Sequence, residues 1–169
     1  MAEWLGSRGI SKRYLEARIG PFQYEHGRIW FGTTFYSGEG TDGVGAIGYF
    51  DTHARSYRII YDQLIGDWAC SALLLEGDAL WVGLIDRPEG ADRSGGLARY
   101  DRASGVFTRY HIPAIVRVIR RYEQTLFVAT DDGVYTLNED GLRHIALDFD
   151  VEGRYVVEVS ELEPPRAPK

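Results

Sequence analysis

Leu80-Trp81-Val82-Gly83, followed by Gly95-Gly96-Leu97-Ala98-Arg99-Tyr100-Asp101 and then Ser104-Gly105-Val106-Phe107-Thr108-Arg109-Tyr110, is the stretch that decides the fold. Its apolar residues follow a period of two and glycines interrupt it, so an amphipathic helix is excluded and successive strands are expected. Asp101-Arg102-Ala103-Ser104-Gly105 reads as a short hairpin loop with Gly105 in the left-handed conformation. The strand after it, Val106 to Ile112, alternates apolar and polar residues.

Working outward, the marker Trp81 recurs as Trp30 in Arg28-Ile29-Trp30-Phe31-Gly32-Thr33 and as Phe127 in Thr125-Leu126-Phe127-Val128-Ala129-Thr130, at intervals of 51 and 46 residues. Two positions after each ring stands Gly83, Gly32 or Ala129. Residues i and i+2 of a strand share a face, so a large ring and a minimal residue lie side by side. That pattern suits sheets that converge toward an axis. Each marker strand is preceded by another, at 19–24, 70–75 and 116–122, across turns at His26-Gly27, Glu76-Gly77-Asp78 and Glu123-Gln124. Each is followed by two more: 45–51 and 56–61, 95–101 and 106–112, 132–138 and 142–147. Four strands per unit, at a period of about 40–50 residues, is the pattern of a β-propeller blade. The expectation is an all-β chain of three four-stranded antiparallel sheets, with blades near 19–62, 63–112 and 113–148 in one domain spanning 1–160.

Bulk composition agrees. The 169 residues are 44% hydrophobic, 26% charged and 13% aromatic, with 20 glycines, as expected of a soluble globular protein rich in pleated surfaces and turns. No apolar run reaches the ~18–20 residues a membrane span needs, so no membrane insertion is expected. Residues 1–11 lack a basic start with an apolar stretch behind it, so no signal peptide is visible. The chain as given reads as cytoplasmic, with an exported origin the alternative for a truncated form. The net charge is −6 and there is no basic stripe, which argues against nucleic acid as a partner. The densest basic segment, Arg117, Arg120 and Arg121, reads as a salt-bridged or solvated strand, with an anionic partner as the alternative. Cys70 is the single cysteine and sits in an apolar run, which predicts a buried, inert thiol.

The segments quoted at the start resemble the blades of two-component-regulator-type propellers. More loosely, Phe107-Thr108-Arg109-Tyr110-His111-Ile112-Pro113 is similar to the blades of streptogramin lyase-like propellers. The likeness covers about residues 19 to 148 and implies a sensory input domain. Lyase chemistry of the second family would imply a histidine base with a metal on the loop face. The sequence places His26 and His53 in turns of the opposite face, and His111 and His144 on outer strands.

Two flanks remain. Residues 4–14 read as the outer part of another blade, with a helix over 11–18 as the competing reading. Residues 154–159 read as a strand, and 161–169, with three prolines, as disordered tail. If 4–14 and 154–159 pair, they build a partial fourth blade. Otherwise the chain is an open arc completed by homo-oligomerisation, since a bare blade face and edge strand invite association.

The loops joining second to third strands, and those joining blades, should share one face. They span 35–44, 85–94 and Asp131-Asp132. On them lie the candidate ligand-binding residues Tyr36, Glu39, Asp42, Asp86, Arg87, Glu89, Asp92, Arg93, Asp131 and Asp132, with Trp68 between the first two blades. Acids, arginines and rings together suit a small polar ligand, a glycan or a protein partner. The competing readings are solvated loop charges paired with Arg87 and Arg93, and Trp68 packed at a blade seam. The spacing of Asp86, Glu89 and Asp92 matches no calcium-loop pattern, so no cofactor is expected, calcium being the alternative. Asp42, Asp86 or Glu89 as general acid or base would make the chain a lyase or glycosidase-like enzyme. A third reading is a structural unit that assembles with copies of itself. The expectation is a non-catalytic binding module.

Overall fold

The computed structural model describes residues 15–37, 40–42, 47–66, 68–86, 92–149 and 155–159, with side chains over 20–33, 47–66, 68–86 and 92–146. Among these residues there are only strands, turns and connecting segments. Three antiparallel sheets follow one another along the chain. The first contains β1 (Leu15–Glu25), β2 (Arg28–Ser37), β3 (Gly40–Asp42), β4 (Ile47–Asp51) and β5 (Ser56–Ile60), in the order β1-β2-β4-β5 with β3 also on β2. The second is β6 (Ala69–Glu76), β7 (Ala79–Asp86), β8 (Arg93–Asp101) and β9 (Phe107–Tyr110), in sequence order. The third runs β10 (Val116–Tyr122), β11 (Thr125–Thr130), β12 (Gly133–Asn138), β13 (Gly141–Phe149) and β14 (Tyr155–Val159). The four-stranded repeat and the all-β class are therefore as the sequence implies, in an open, propeller-like stack.

The sheets pack face to face through two apolar seams. In the first seam, Trp30 and Ile47 of sheet one meet Cys70, Leu73, Leu80, Val82, Leu84, Ala98 and Phe107 of sheet two. In the second, Ala72, Trp81 and Leu97 of sheet two meet Val116, Ile119, Leu126, Val128 and Tyr135 of sheet three. Each buried side chain of this size contributes about 1.5–3 kcal/mol relative to exposure, so the seams dominate the stability of the stack.

The ring-plus-small pairing has the consequence the sequence suggests. A Cβ on Gly32 would collide with Cys70 across the first seam, and one on Gly83 would come within 2.8 Å of Val116 Cβ across the second. The sheets approach here because neither glycine has a side chain. Opposite each small residue the first strand of its sheet slips register once. The slips fall between Ile19 and Phe22, Cys70 and Ala72, and Val116 and Val118. These three equivalent bulges confirm the repeat at the level of the backbone. Gly105 closes the Asp101–Gly105 hairpin with φ 75°, as expected of it.

Several expectations change. Residues 15–18 belong to β1 and not to a helix, because they pair with 34–37 of a lengthened β2. The span 35–44 is not a free loop: β2 continues to Ser37, and β3 returns along it with Phe35 opposite Asp42 and Tyr36 opposite Thr41. The strand expected at 154–159 exists as β14, but it lies on β13 as the fifth strand of sheet three. Residues 4–14, its expected partner, and the tail 161–169 lie outside the described residues.

Candidate functional site

The loop end of the stack carries the acids that the sequence singles out. Asp86 and Arg93 are paired positions at the end of β7 and the start of β8, and the arginine is ion-paired to the nearly buried carboxylate. Thus Asp86 belongs to a strand end and is neutralised on the spot. Asp131 takes a two-pronged bond from Arg117, at 2.6 and 2.8 Å. This bond, ahead of the nearby charges of Asp131 and Asp92, holds the Arg117 guanidinium above its ordinary value. The structure thereby brings Asp92, Arg117 and Asp131 together from three different segments. Ser94 Oγ donates toward the Ile112 and Ala114 carbonyls, both at 2.7 Å, which fixes the β8 start to the connection between sheets two and three.

Trp68 is partly buried against the first seam, with Arg109 stacked 4.8 Å over its ring. It fills the space where a Cβ on Gly95 would stand, so it is a packing ring on sheet two. Arg87 and Glu89 lie outside the described residues, as does Glu39, and the side chains of Tyr36 and Asp42 are not described. Among the described residues no group of three metal-binding side chains comes together. No helix there is long and apolar enough to cross a membrane.

One histidine lies on the outer strand expected for it, close to the loop end. His144 sits on β13 opposite Tyr135, near the Asp131-Asp132 turn, because the two-residue loop is so short. Its ring stacks on Tyr135 at 4.3 Å, and its Nε2 lies 3.6 Å from Asp132 Oδ1. Burial, and then the Asp132 carboxylate, pushes the Tyr135 hydroxyl up to about 12. His111, expected on the equivalent outer strand, instead lies just past the end of β9 and is exposed. The cross-strand pairing of Tyr135 and His144 was the available signal for this cluster.

Two cavities among the described residues lie at the other end, among the tight turns. One of about 390 Å³ opens between sheets one and two, lined by Arg28, Trp30, Tyr49, Arg58, Tyr100 and Arg102, with Ile60 and Asp78. Its floor follows from strand register. Trp30, Tyr49 and Arg58 are neighbours across β2, β4 and β5, so they project in one row toward sheet two. Arg28 stacks 4.7 Å over the Tyr49 ring and reaches Asp51 at 3.6 Å. Sheet two supplies Arg102, which bridges the seam: it bonds Glu25 at 2.6 Å and the Gly77 carbonyl, and lies 5.3 Å over Trp30. Arg58 is exposed and has no ion-pair or hydrogen-bond partner among the described residues. The buried Trp30 Nε1 likewise has no acceptor.

The second seam repeats the plan on a smaller scale. A cavity of about 350 Å³ is lined by Trp81, Arg99, Tyr110, Arg121 and Gln124, with Leu137, Asn138 and Glu139. Here both cations are engaged, Arg99 with Asp101 at 3.0 Å and Arg121 with Glu76 at 2.8 Å. The expected salt-bridged reading of the 117–121 segment holds for Arg117 and Arg121.

Fold and site together define an open, propeller-like β-sheet protein with arginine-and-aromatic crevices between its sheets. No protein-family model and no curated protein sequence matches the chain.

Proposed function

We propose that this chain is a non-catalytic binding module. Its ligand is a small carboxylate-bearing polar molecule, such as a sugar acid, held in the crevice between sheets one and two. The observation that carries the reading is Arg58, an unpaired guanidinium on the wall of a roomy cavity, flanked by Arg28 and Arg102 and by three aromatic rings. Guanidinium presents a planar fork that matches a carboxylate. Indole and phenol faces take up the apolar face of a sugar ring or a short chain. Arginine stays charged throughout the physiological range, and one exposed carboxylate, Asp78, accompanies it; such a set recognises anions rather than exchanging protons. A sensory input role, as the resemblance to regulator-type blades implies, is consistent with a rigid scaffold holding such a crevice. The loop-end acids Asp86 and Asp131 are already matched by Arg93 and Arg117, which favours the turn end over the loop end as the binding face.

Titration with glucuronate and citrate, against glucose as the uncharged control, tests the proposal. Trp30 on the cavity wall provides the fluorescence signal, and calorimetry the heat. Saturable binding of a carboxylate at least tenfold tighter than glucose is expected. Arg58→Ala should weaken it about tenfold or more, since a hydrogen bond to a charged group is worth about 1.5–3 kcal/mol. Equal affinity for glucose and glucuronate, or binding indifferent to Arg58→Ala, would show that the crevice is not the site.

A further inference from the structure

We infer that the crevice between sheets two and three is a second binding site, for a small hydroxylated amine such as an amino sugar, with Glu139 as the group that takes the ammonium. The two crevices share one frame, and strand register shows which residues correspond. On the wall given by the earlier sheet, Trp30, Tyr49 and Arg58 stand side by side across β2, β4 and β5. Trp81, Arg99 and Thr108 stand side by side in the same way across β7, β8 and β9. On the wall given by the later sheet, Leu80 pairs with Tyr100 and Leu126 pairs with Leu137. The turn residues two positions further on, Arg102 and Glu139, are therefore equivalent, and each lines its own crevice.

Between equivalent positions the charge is reversed. Arg28, opposite Asp51, corresponds to Ala79, opposite Asp101. Arg58 corresponds to the neutral Thr108, and the Arg102 cation to the Glu139 anion. The second crevice does hold two guanidinium groups of its own, Arg99 and Arg121, at the positions of Tyr49 and Leu75. Each is matched by a carboxylate of sheet two: Arg99 by Asp101 at 3.0 Å, and Arg121 by both oxygens of Glu76 at 2.8 and 3.0 Å. Glu139 is exposed and has no ion-pair or hydrogen-bond partner among the described residues. Arg143 lies near the adjacent Asp140 instead, at 3.7 Å. One unmatched charge thus remains on the lining, and it is negative.

A free carboxylate accepts charge-assisted bonds from a primary ammonium. The rest of the lining suits hydroxyl groups. Gln124, two residues before Leu126 as Asp78 is two before Leu80, offers an amide that both donates and accepts, and Tyr110 offers a phenol. Neither side chain has a hydrogen-bond partner among the described residues. Trp81 and Tyr110, with ring centroids 5.8 Å apart, and Leu137 form the apolar backing. The volume of about 350 Å³ is that of a small-molecule pocket. A carboxylate ligand would here meet Glu139 where the first crevice has Arg102, and such like-charge contact rejects it.

The test is calorimetric titration of the full chain with protonated glucosamine. N-acetylglucosamine, which keeps the ring and the hydroxyls but not the charge, is the control. Saturable glucosamine binding about tenfold tighter than the control, or more, is expected, because charge-assisted bonds are about twice as strong as neutral ones. Glu139→Gln should lower glucosamine affinity about fivefold or more for the same reason. Glu139→Arg, which places in this turn the cation that Arg102 gives the first crevice, should abolish binding. The position is an exposed turn, and an unchanged circular dichroism spectrum shows that both variants keep the fold. Equal affinity for the two sugars, no saturable glucosamine binding, or an affinity unmoved by Glu139→Gln would each overturn the inference. So would displacement of glucosamine by glucuronate, which would put both in the crevice between sheets one and two. A failure of glucuronate to bind strikes the first crevice alone, since Glu139 lies in the other.

Discussion

Replacing Gly83 by alanine probes the seam between sheets two and three, because two opposing effects meet at that position. The backbone of Gly83 is not in the left-handed region. Alanine should therefore stabilise by about 0.4–1 kcal/mol through the unfolded chain alone. Against this, the new Cβ would lie 2.7 Å from Ser71 Oγ and 2.8 Å from both Cβ and Cγ1 of Val116. Ordinary carbon contacts begin about 3.5 Å apart, so something must yield by most of an ångström. Ser71 Oγ is committed to the Val116 carbonyl at 2.8 Å. Val116 is fully buried, and its β-branched side chain cannot turn away. The strain therefore falls on the sheets, and overpacking of this kind costs about 1–3 kcal/mol. The net expectation is a loss of about 1–2 kcal/mol, a fall in Tm of about 2–8 °C for a chain of this size. Urea unfolding followed by tryptophan fluorescence measures it. Gly105→Ala is the control: nothing lies within 4 Å of its added Cβ, so its loss of about 1–2 kcal/mol comes from φ alone. A Gly83→Ala protein as stable as the parent, or more so, would refute the close approach of the two sheets.

Other expectations follow from the same geometry. Gly32→Ala should destabilise more than Gly83→Ala, since its Cβ would meet the Cβ of Cys70, an atom fixed to the backbone; parallel urea curves decide the order. Arg102→Ala removes the Glu25 pair and the cation over Trp30, and should lower stability by about 1–2 kcal/mol, read in the same assay. The buried Cys70 thiol, pushed up to about 12 by desolvation, should resist a thiol reagent in the native protein and react at once in urea. Because that folded value lies above the unfolded one, the thiol's contribution is complete below about pH 9 and declines as pH rises toward 12, a slope that Cys70→Ala should reduce. At the acid end the sign reverses. The Ser104 amide and hydroxyl, with Arg99, hold Asp101 below its ordinary value, and the Ala54 amide foremost does so for Asp51. Their contribution is present above about pH 4 and is lost as pH falls further; Asp101→Asn should flatten that loss in acid-unfolding curves.

What the sequence reveals and what it conceals divide along one physical line. Period-two alternation fixes which residues share a face, so Trp30 with Gly32 and Trp81 with Gly83 could be read directly, and with them the repeat and its hairpins. Nothing local states which face meets which sheet, or how far a strand runs past its apolar core. The pairing of 35–37 with 40–42 is therefore invisible where it reads as a long polar loop. The bulges escaped for the same reason, since Gly20-Pro21, Ser71 and Arg117 have no side-chain chemistry in common. Nor does any local signal mark the crevices between sheets: two cavities among the described residues lie at the tight-turn end, where the sequence shows only short turns.

Even the repeat could not have supplied the charges of those cavities. Arg102 reaches the first seam from a turn after β8, while Arg121 reaches the second from within β10. The two occupy different positions in their units, so the apolar frame is periodic and its cations are not. Each seam consequently acquires its own chemistry: Arg28, Arg58 and Arg102 gather at the first, with Arg58 left unpaired, and Arg99 and Arg121 are satisfied by Asp101 and Glu76 at the second. Selectivity in such a stack therefore belongs to individual seams rather than to the blade. A substitution at Arg58 should change ligand binding and leave the second seam untouched, while one at Arg121 should loosen sheet three and leave the ligand crevice intact. Measuring ligand affinity and urea stability for both variants separates the two roles. If Arg121→Ala weakens binding as much as Arg58→Ala does, the two seams are coupled and do not divide the roles of binding and stability.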